Sequence, residues 1–172
     1  DRKTRPVEAK ESMRWLNATE ASASLVGVAA EVIDVSDREG DIYQHFARRP
    51  EDVGMVVRAH HDRKLVGGGQ MFAAAEGFGK GFVREVFVAP RGPGDKGRTA
   101  KVRVRAGTVE VARPATADPA KDPASLTLGL VEVIEIEPPA GKGVKPVVWR
   151  IVTTLPVGKP HEIDRIVRIY RL

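Results

Sequence analysis

The chain has 172 residues, 42% of them hydrophobic and 30% charged, with 28 Lys and Arg against 23 Asp and Glu for a net charge of +5. That size suits one domain, or one domain carrying an insertion, and that composition excludes a disordered tail. Without cysteine, disulfides, thiolate metal sites and thiol nucleophiles are excluded as well. No apolar run approaches the roughly 18 residues of a membrane span, and no signal-peptide pattern opens the chain. The expectation is a soluble, cytoplasmic protein with no membrane partner. The sequence begins with Asp1 and stops at Leu172 inside a helical pattern, so a fragment of something longer is expected.

In chain order, residues 1 to 10 are polar and read as a tether. ESMRWLNATEASASLV, from Glu11, has helical composition, with Met13, Trp15 and Leu16 supplying apolar surface. EVIDVSD, residues 31 to 37, is β-branched and predicts a buried strand. DIYQHFARRP places Ile42, Tyr43, Phe46 and Ala47 at helical spacing and stops at Pro50. VGMVVRAHH predicts a second strand, and RKLVGGGQMF a flexible loop. Helix, strand, helix, strand is the order of an α/β layer. Near residue 80 the pattern changes: GFVREVFVAP, TAKVRVRAGTVEVARP, SLTLGLVEVIEIEPP and PVVWRIVTTLPV all favour strands. The turn-rich linkers RGPGDKG, PATADPAKDPA and PPAGKGVK separate them. Finally HEIDRIVRIYRL sets Ile163, Ile166, Val167 and Tyr170 at i, i+3, i+4 and i+7, an amphipathic helix. The expected fold is an α/β core over residues 1–78 and 158–172, interrupted by an all-β antiparallel insertion over 79–157.

Few residues are candidates for chemistry. Ser36-Asp37-Arg38-Glu39 fits a capping box, in which Ser36 and Glu39 satisfy backbone donors at a helix start. It equally fits one corner of a metal site, since a carboxylate at a strand end can face a hard cation and Mg²⁺ sites use only one or two carboxylates. His60 and His61, if on a strand, point to opposite faces and cannot chelate together; His45 and His161 stand isolated. Residues 91 to 105 carry Arg91, Lys96, Arg98, Lys101, Arg103 and Arg105 against Asp95 alone. That is a basic stripe, either a solvated strand face or a phosphate-binding surface. Trp149 is either core or a stacking platform for an unpaired base, a contact worth roughly 1–3 kcal/mol.

Taken together in order, several stretches resemble the DDE transposases of bacterial insertion sequences, the cut-and-paste branch whose RNase H-like core carries a β-rich insertion. RWL resembles the helix before the second catalytic strand. VIDVSDREGDIY resembles that strand and its DREAD motif, with Gly40 in place of Ala. VVRAHHDRK resembles the next strand, GRTAKVRVR and VVWRIVTTLPV resemble insertion strands, and IVRIYRL the start of the helix bearing the Tyr-Arg-Glu signature. The resemblance implies that Asp37 is the second catalytic aspartate and a ligand to one of two Mg²⁺ or Mn²⁺ ions. It further implies DNA contacts from Arg38, Arg58, His61 and Arg98, base stacking by Trp149, and a phosphate contact by Tyr170. The implied partners are transposon ends and target DNA, bound by a homodimer in a bacterial, nucleoid-associated setting. The first aspartate, and the arginine and glutamate of the signature, have no counterpart in these 172 residues. A basic β-rich nucleic-acid-binding module without catalysis is the alternative.

Overall fold

The computed structural model describes residues 13–25, 27–28, 31–90, 92, 96–139 and 145–171. The expected tether, and Arg91 and Asp95 of the basic stretch, lie outside them. Four helices and six strands follow in order: α1 (Met13–Ser22), β1 (Val32–Ser36), α2 (Tyr43–Ala47), β2 (Val53–Arg58), α3 (Met71–Ala74), β3 (Phe82–Val88), β4 (Arg98–Ala112), β5 (Ser125–Glu135), β6 (Val148–Thr153) and α4 (Pro160–Tyr170). All six strands form one mixed sheet, ordered β1-β2-β6-β5-β4-β3. Only β1 and β2 run parallel, joined through α2; the other neighbours are antiparallel. The protein is thus mixed α/β with few helices, and its four later strands fall where period-2 alternation puts them.

The sheet is continuous across residue 79. β6 lies against β2, with Val56 opposite Thr153 and Arg58 opposite Ile151. Hydroxyls reinforce this seam: Thr153 Oγ1 donates to the Met55 carbonyl at 2.6 Å, and Thr154 Oγ1 accepts from the Met55 N–H at 2.9 Å.

Alternation along the strands sends apolar side chains to both faces, each with its own core. On one face Met55, Val57, Val109, Val111, Leu128, Leu130 and Val152 pack under Tyr43 and Phe46 of α2, Met71 of α3, and Phe78. On the other, Val56, Val102, Val104, Val131, Val133 and Ile151 pack under Ile163, Ile166 and Val167 of α4. The helical spacing of those three residues made this contact readable in advance. α4 starts cleanly, since Pro160 needs no N–H partner in the first turn and Glu162 Oε2 accepts from the Lys159 N–H at 2.9 Å.

β1 departs from expectation. It forms the sheet edge rather than a buried strand: Val32, Ile33 and Asp34 are half-buried, Val35 is 46% exposed, and Ser36 alone is buried. RKLVGGGQMF is better ordered than a flexible loop. Lys64 bridges to Gln70, Leu65 to Val111, and α3 begins at Met71. Among the described residues no helix is long and apolar enough to cross a membrane.

Candidate functional site

Strand direction decides which residues share an end of the sheet. β1 and β2 finish where β6 and β4 begin and where β5 finishes. That end therefore gathers Asp37 just beyond β1, Arg58 closing β2, Trp149 opening β6, and the Glu135–Arg98 region of β5 and β4. In open, mostly parallel sheets ligands bind beyond the carboxyl ends of the strands, and the one parallel pair here, β1 and β2, ends on this side.

Asp37 leaves β1 in extended conformation (φ −82°, ψ −172°) and the chain then turns through the short 3₁₀ segment Arg38–Gly40. The capping box is absent. Asp37, not Ser36, occupies the cap position and makes no side-chain cap bond. The Ser36 hydroxyl is buried without a partner, and Glu39 swings away to pair with Arg14 of α1. Gly40 folds so tightly over Ser36 that a Cβ on it would run into the Ser36 Oγ and Cβ. Asp37 is left exposed, with no hydrogen bond to its carboxylate among the described residues. Such a carboxylate at a strand end is free to ligate a cation. The register pairs Ser36 with Val57, so Asp37 comes level with Arg58 on the neighbouring strand.

Arg58 is the hinge of a second group. Its Nη1 donates to the Tyr170 hydroxyl at 3.0 Å, its Nη2 to the Val148 carbonyl at 2.7 Å, and the guanidinium stands 5.8 Å from the Tyr170 ring centroid. Trp149 meets Tyr170 edge-on, ring centroids 5.7 Å apart at 63°. Tyr170 therefore joins Arg58 and Trp149, from distant stretches of the chain, at the end of the sheet that β1 leaves at Asp37. No protein-family model matches the chain. The site thus rests on its own geometry. Because Arg58 donates to the Tyr170 oxygen, the phenol keeps its own proton for an outside acceptor. Trp149 and Tyr170 are half-buried against the α4 core, so each has one side in the core and the other near solvent.

The remaining expected contacts are placed differently. Arg38 is exposed on the turn beside Asp37. His60 and His61 fall past the end of β2, so they do not point to opposite faces; their rings meet edge to face at 4.8 Å. Burial lowers the His61 pKa, and Arg63 and His60 push the same way against Asp41. Arg98 lies at this end of the sheet, with its guanidinium bonded to both carboxylate oxygens of Glu135, whose side chain is 1% exposed. Lys101 pairs with Glu137 and Arg105 with Glu132. Arg98, Lys101 and Arg105 of the expected basic stripe are therefore neutralised by acids on β5 and just after it, and Lys96 and Arg103 are its exposed cations without an acid partner among the described residues.

Sequence reasoning missed the buried polar residues that hold this end in shape. Asp41, 1% exposed, accepts from the N–H groups of His60 (2.6 Å) and His61 (2.8 Å) and from Arg63, fixing the chain as it leaves β2. His45, expected to stand isolated, is buried and bonds to Gly40 and Thr19. Asp41 closes the DREGD stretch, and its position between a charged turn and an apolar helix was the available signal. Nothing local in the sequence marks His45. Among the described residues no group of three or more His, Asp or Glu is disposed to hold a metal ion.

Proposed function

We propose that this chain forms part of the catalytic region of a DNA transposase of the DDE class, with Asp37 as one carboxylate of a metal-dependent phosphoryl-transfer site and the strands around it as an RNase H-like core. One observation carries the reading. Asp37, Arg58, Trp149 and Tyr170, singled out at four separate places in the chain, converge on one end of one sheet. The residues fit a divalent cation as a partial site: Asp37 offers an uncommitted carboxylate, and two further carboxylates would be needed to complete it. Divalent ions, when bound, would supply Lewis-acid activation of a water or a DNA 3′-hydroxyl and stabilise the leaving oxygen.

The chain's own residues do the rest. Arg58, anchored by Val148 and Tyr170, presents its remaining N–H donors to a phosphate, while Tyr170 donates its proton to the same or the next one. Trp149 offers a ring on which a base extruded at the cleavage point stacks, offsetting the few kcal/mol that extrusion costs. Arg38 and His61 flank the path of the backbone.

Asp37→Asn in the full-length protein tests this. Cleavage of end-containing duplex in Mg²⁺ should fall by more than about 100-fold, beyond the range typical of outer-shell losses, with end binding retained because the basic contacts survive. Cleavage at the wild-type rate would remove Asp37 from the metal site and leave a non-catalytic nucleic-acid-binding module as the better reading.

A further inference from the structure

His45 is fully buried, yet it is an imidazole where a leucine or phenylalanine would fill the space without needing partners. Its contacts explain the choice. Nδ1 lies 2.8 Å from the Gly40 carbonyl and so carries a hydrogen that it donates there. Nε2 lies 2.7 Å from Thr19 Oγ1 and 3.6 Å from Asp34 Oδ2, and Thr19 Oγ1 also bonds Asp34 directly. Trp15 and Phe46 wall the ring at centroid distances of 6.5 and 6.2 Å. One imidazole thus holds the Gly40 backbone after Asp37 and, through Thr19, the Asp34 side chain before it. Before it lies Asp34 on β1; after it lies Gly40, whose N–H closes the turn onto the Asp37 carbonyl at 2.9 Å.

Resting on the function proposed above, we infer that His45 is a positioning residue for Asp37: with Thr19 and Asp34 it fixes the Asp37–Gly40 turn so that the carboxylate is aimed before any cation arrives. Hydrogen-bond accounting supports a continuous chain. Thr19 has a single hydroxyl proton and three acceptors in reach, His45, Asp34 and the Trp15 carbonyl at 3.0 Å, so within the His45–Asp34 chain it cannot donate to both ends. Either the imidazole donates to Thr19 and Thr19 to an ionised Asp34, or a protonated Asp34 donates to Thr19 and Thr19 to the imidazole. Both arrangements carry the same number of protons and keep His45, Thr19 and Asp34 linked. Supporting partners of this kind typically change metal affinity 10–100-fold when removed, because the ligand must then be ordered at the moment of binding.

The test uses the full-length protein with His45→Leu, His45→Asn, Thr19→Val and Asp37→Asn. Without metal, amide exchange of the 37–45 peptide should accelerate in His45→Leu and return towards wild type in His45→Asn, whose amide can still donate to Gly40. The Mg²⁺ concentration giving half-maximal end cleavage should rise about tenfold in His45→Leu and less in His45→Asn. A role confined to packing would instead lower the active fraction equally at every Mg²⁺ concentration. A folded His45→Leu protein with wild-type exchange and an unchanged Mg²⁺ requirement overturns the inference. Should His45→Leu fail to fold, Thr19→Val carries the same comparison, since it cuts the Asp34 link and leaves the Gly40 bond. If Asp37→Asn still cleaves, the metal-site reading fails, and the positioning role with it; if Asp37→Asn is dead while the His45 and Thr19 variants keep the wild-type Mg²⁺ requirement, only the positioning role fails.

Discussion

At the scale of single residues, the turn after β1 is governed by two atoms in close quarters. The Ser36 Oγ and Cβ occupy the volume a side chain at residue 40 would need, so Gly40→Ala should cost about 1–3 kcal/mol as an overpacked site. Adding Ser36→Gly should recover part of that loss, which a double-mutant cycle of unfolding free energies would read as coupling; additive losses would show that the clash is not the cause. Trp149 is a sharper probe. Being half-buried, its removal to alanine should cost roughly half the ~3–5 kcal/mol of a fully buried aromatic. If it also stacks an extruded base, Trp149→Ala in the full-length protein should impair hairpin formation on the DNA end more than the first nick. Equal losses of both steps, tracking a lowered melting temperature, would assign it to packing alone. The sequence already pointed at Asp37, Arg58, Trp149 and Tyr170 through ordered stretches of resemblance. It could not show that Arg58 bonds Tyr170, because the two are 112 residues apart and only the folded sheet brings them together.

At the scale of elements, α4 and strands β3 to β6 are legible from strong local patterns: a period of 3.6 in IDRIVRIY, a period of 2 in KVRVR, and β-favouring runs bounded by turn residues in the others. β1 was misjudged as buried because β-branched composition describes a strand without saying whether a neighbour covers its edge. The pairing within the basic stripe is hidden for a related reason, since acids on an adjacent strand are invisible to local charge counting. Arg105, Glu132 and Arg150 stand directly opposite one another across β4, β5 and β6. Arg105 Nε donates to Glu132 Oε1 at 2.8 Å and Arg150 Nε to Oε2 at 3.1 Å, with Arg150 also over the Phe72 ring at 4.6 Å. Glu132 is 2% exposed, so Glu132→Gln should cost about 3 kcal/mol by leaving two cations without their shared counter-charge. A denaturation midpoint within error of wild type would show that solvent satisfies those arginines instead.

For the whole molecule, one sheet with a core on each face argues for a single cooperative transition. Acid should erode it in a defined direction. Burial alone would raise the Asp34 carboxyl, but hydrogen bonds from His45 and Thr19 and the charge of His45 bring it below the ordinary aspartate value of 3.8. The Arg98 hydrogen bond holds Glu135 below the ordinary 4.5 against the opposing effect of burial. Both groups release their protons more readily folded than unfolded. Their contribution is therefore fully present above those ordinary values and is lost as pH falls through the lowered ones. Denaturation midpoints from pH 6 to pH 3 should drop steeply in wild type and more gently in an Asp34→Asn/Glu135→Gln protein; parallel curves would exclude these two carboxylates as the acid-sensitive groups.

The seam between β2 and β6 has a temporal consequence. Met55 and Thr153, which bond across it, are 98 residues apart, and a ribosome adds roughly 5–20 residues per second. For several seconds after Arg58 emerges, β1 and β2 exist as a lone parallel pair, too small to persist in water. Only when β6 and then α4 leave the exit tunnel can Arg58 find Val148 and Tyr170. A nascent chain therefore cannot complete the Asp37 end of the sheet until α4 is made, so the order of synthesis itself keeps the unfinished protein from assembling this surface.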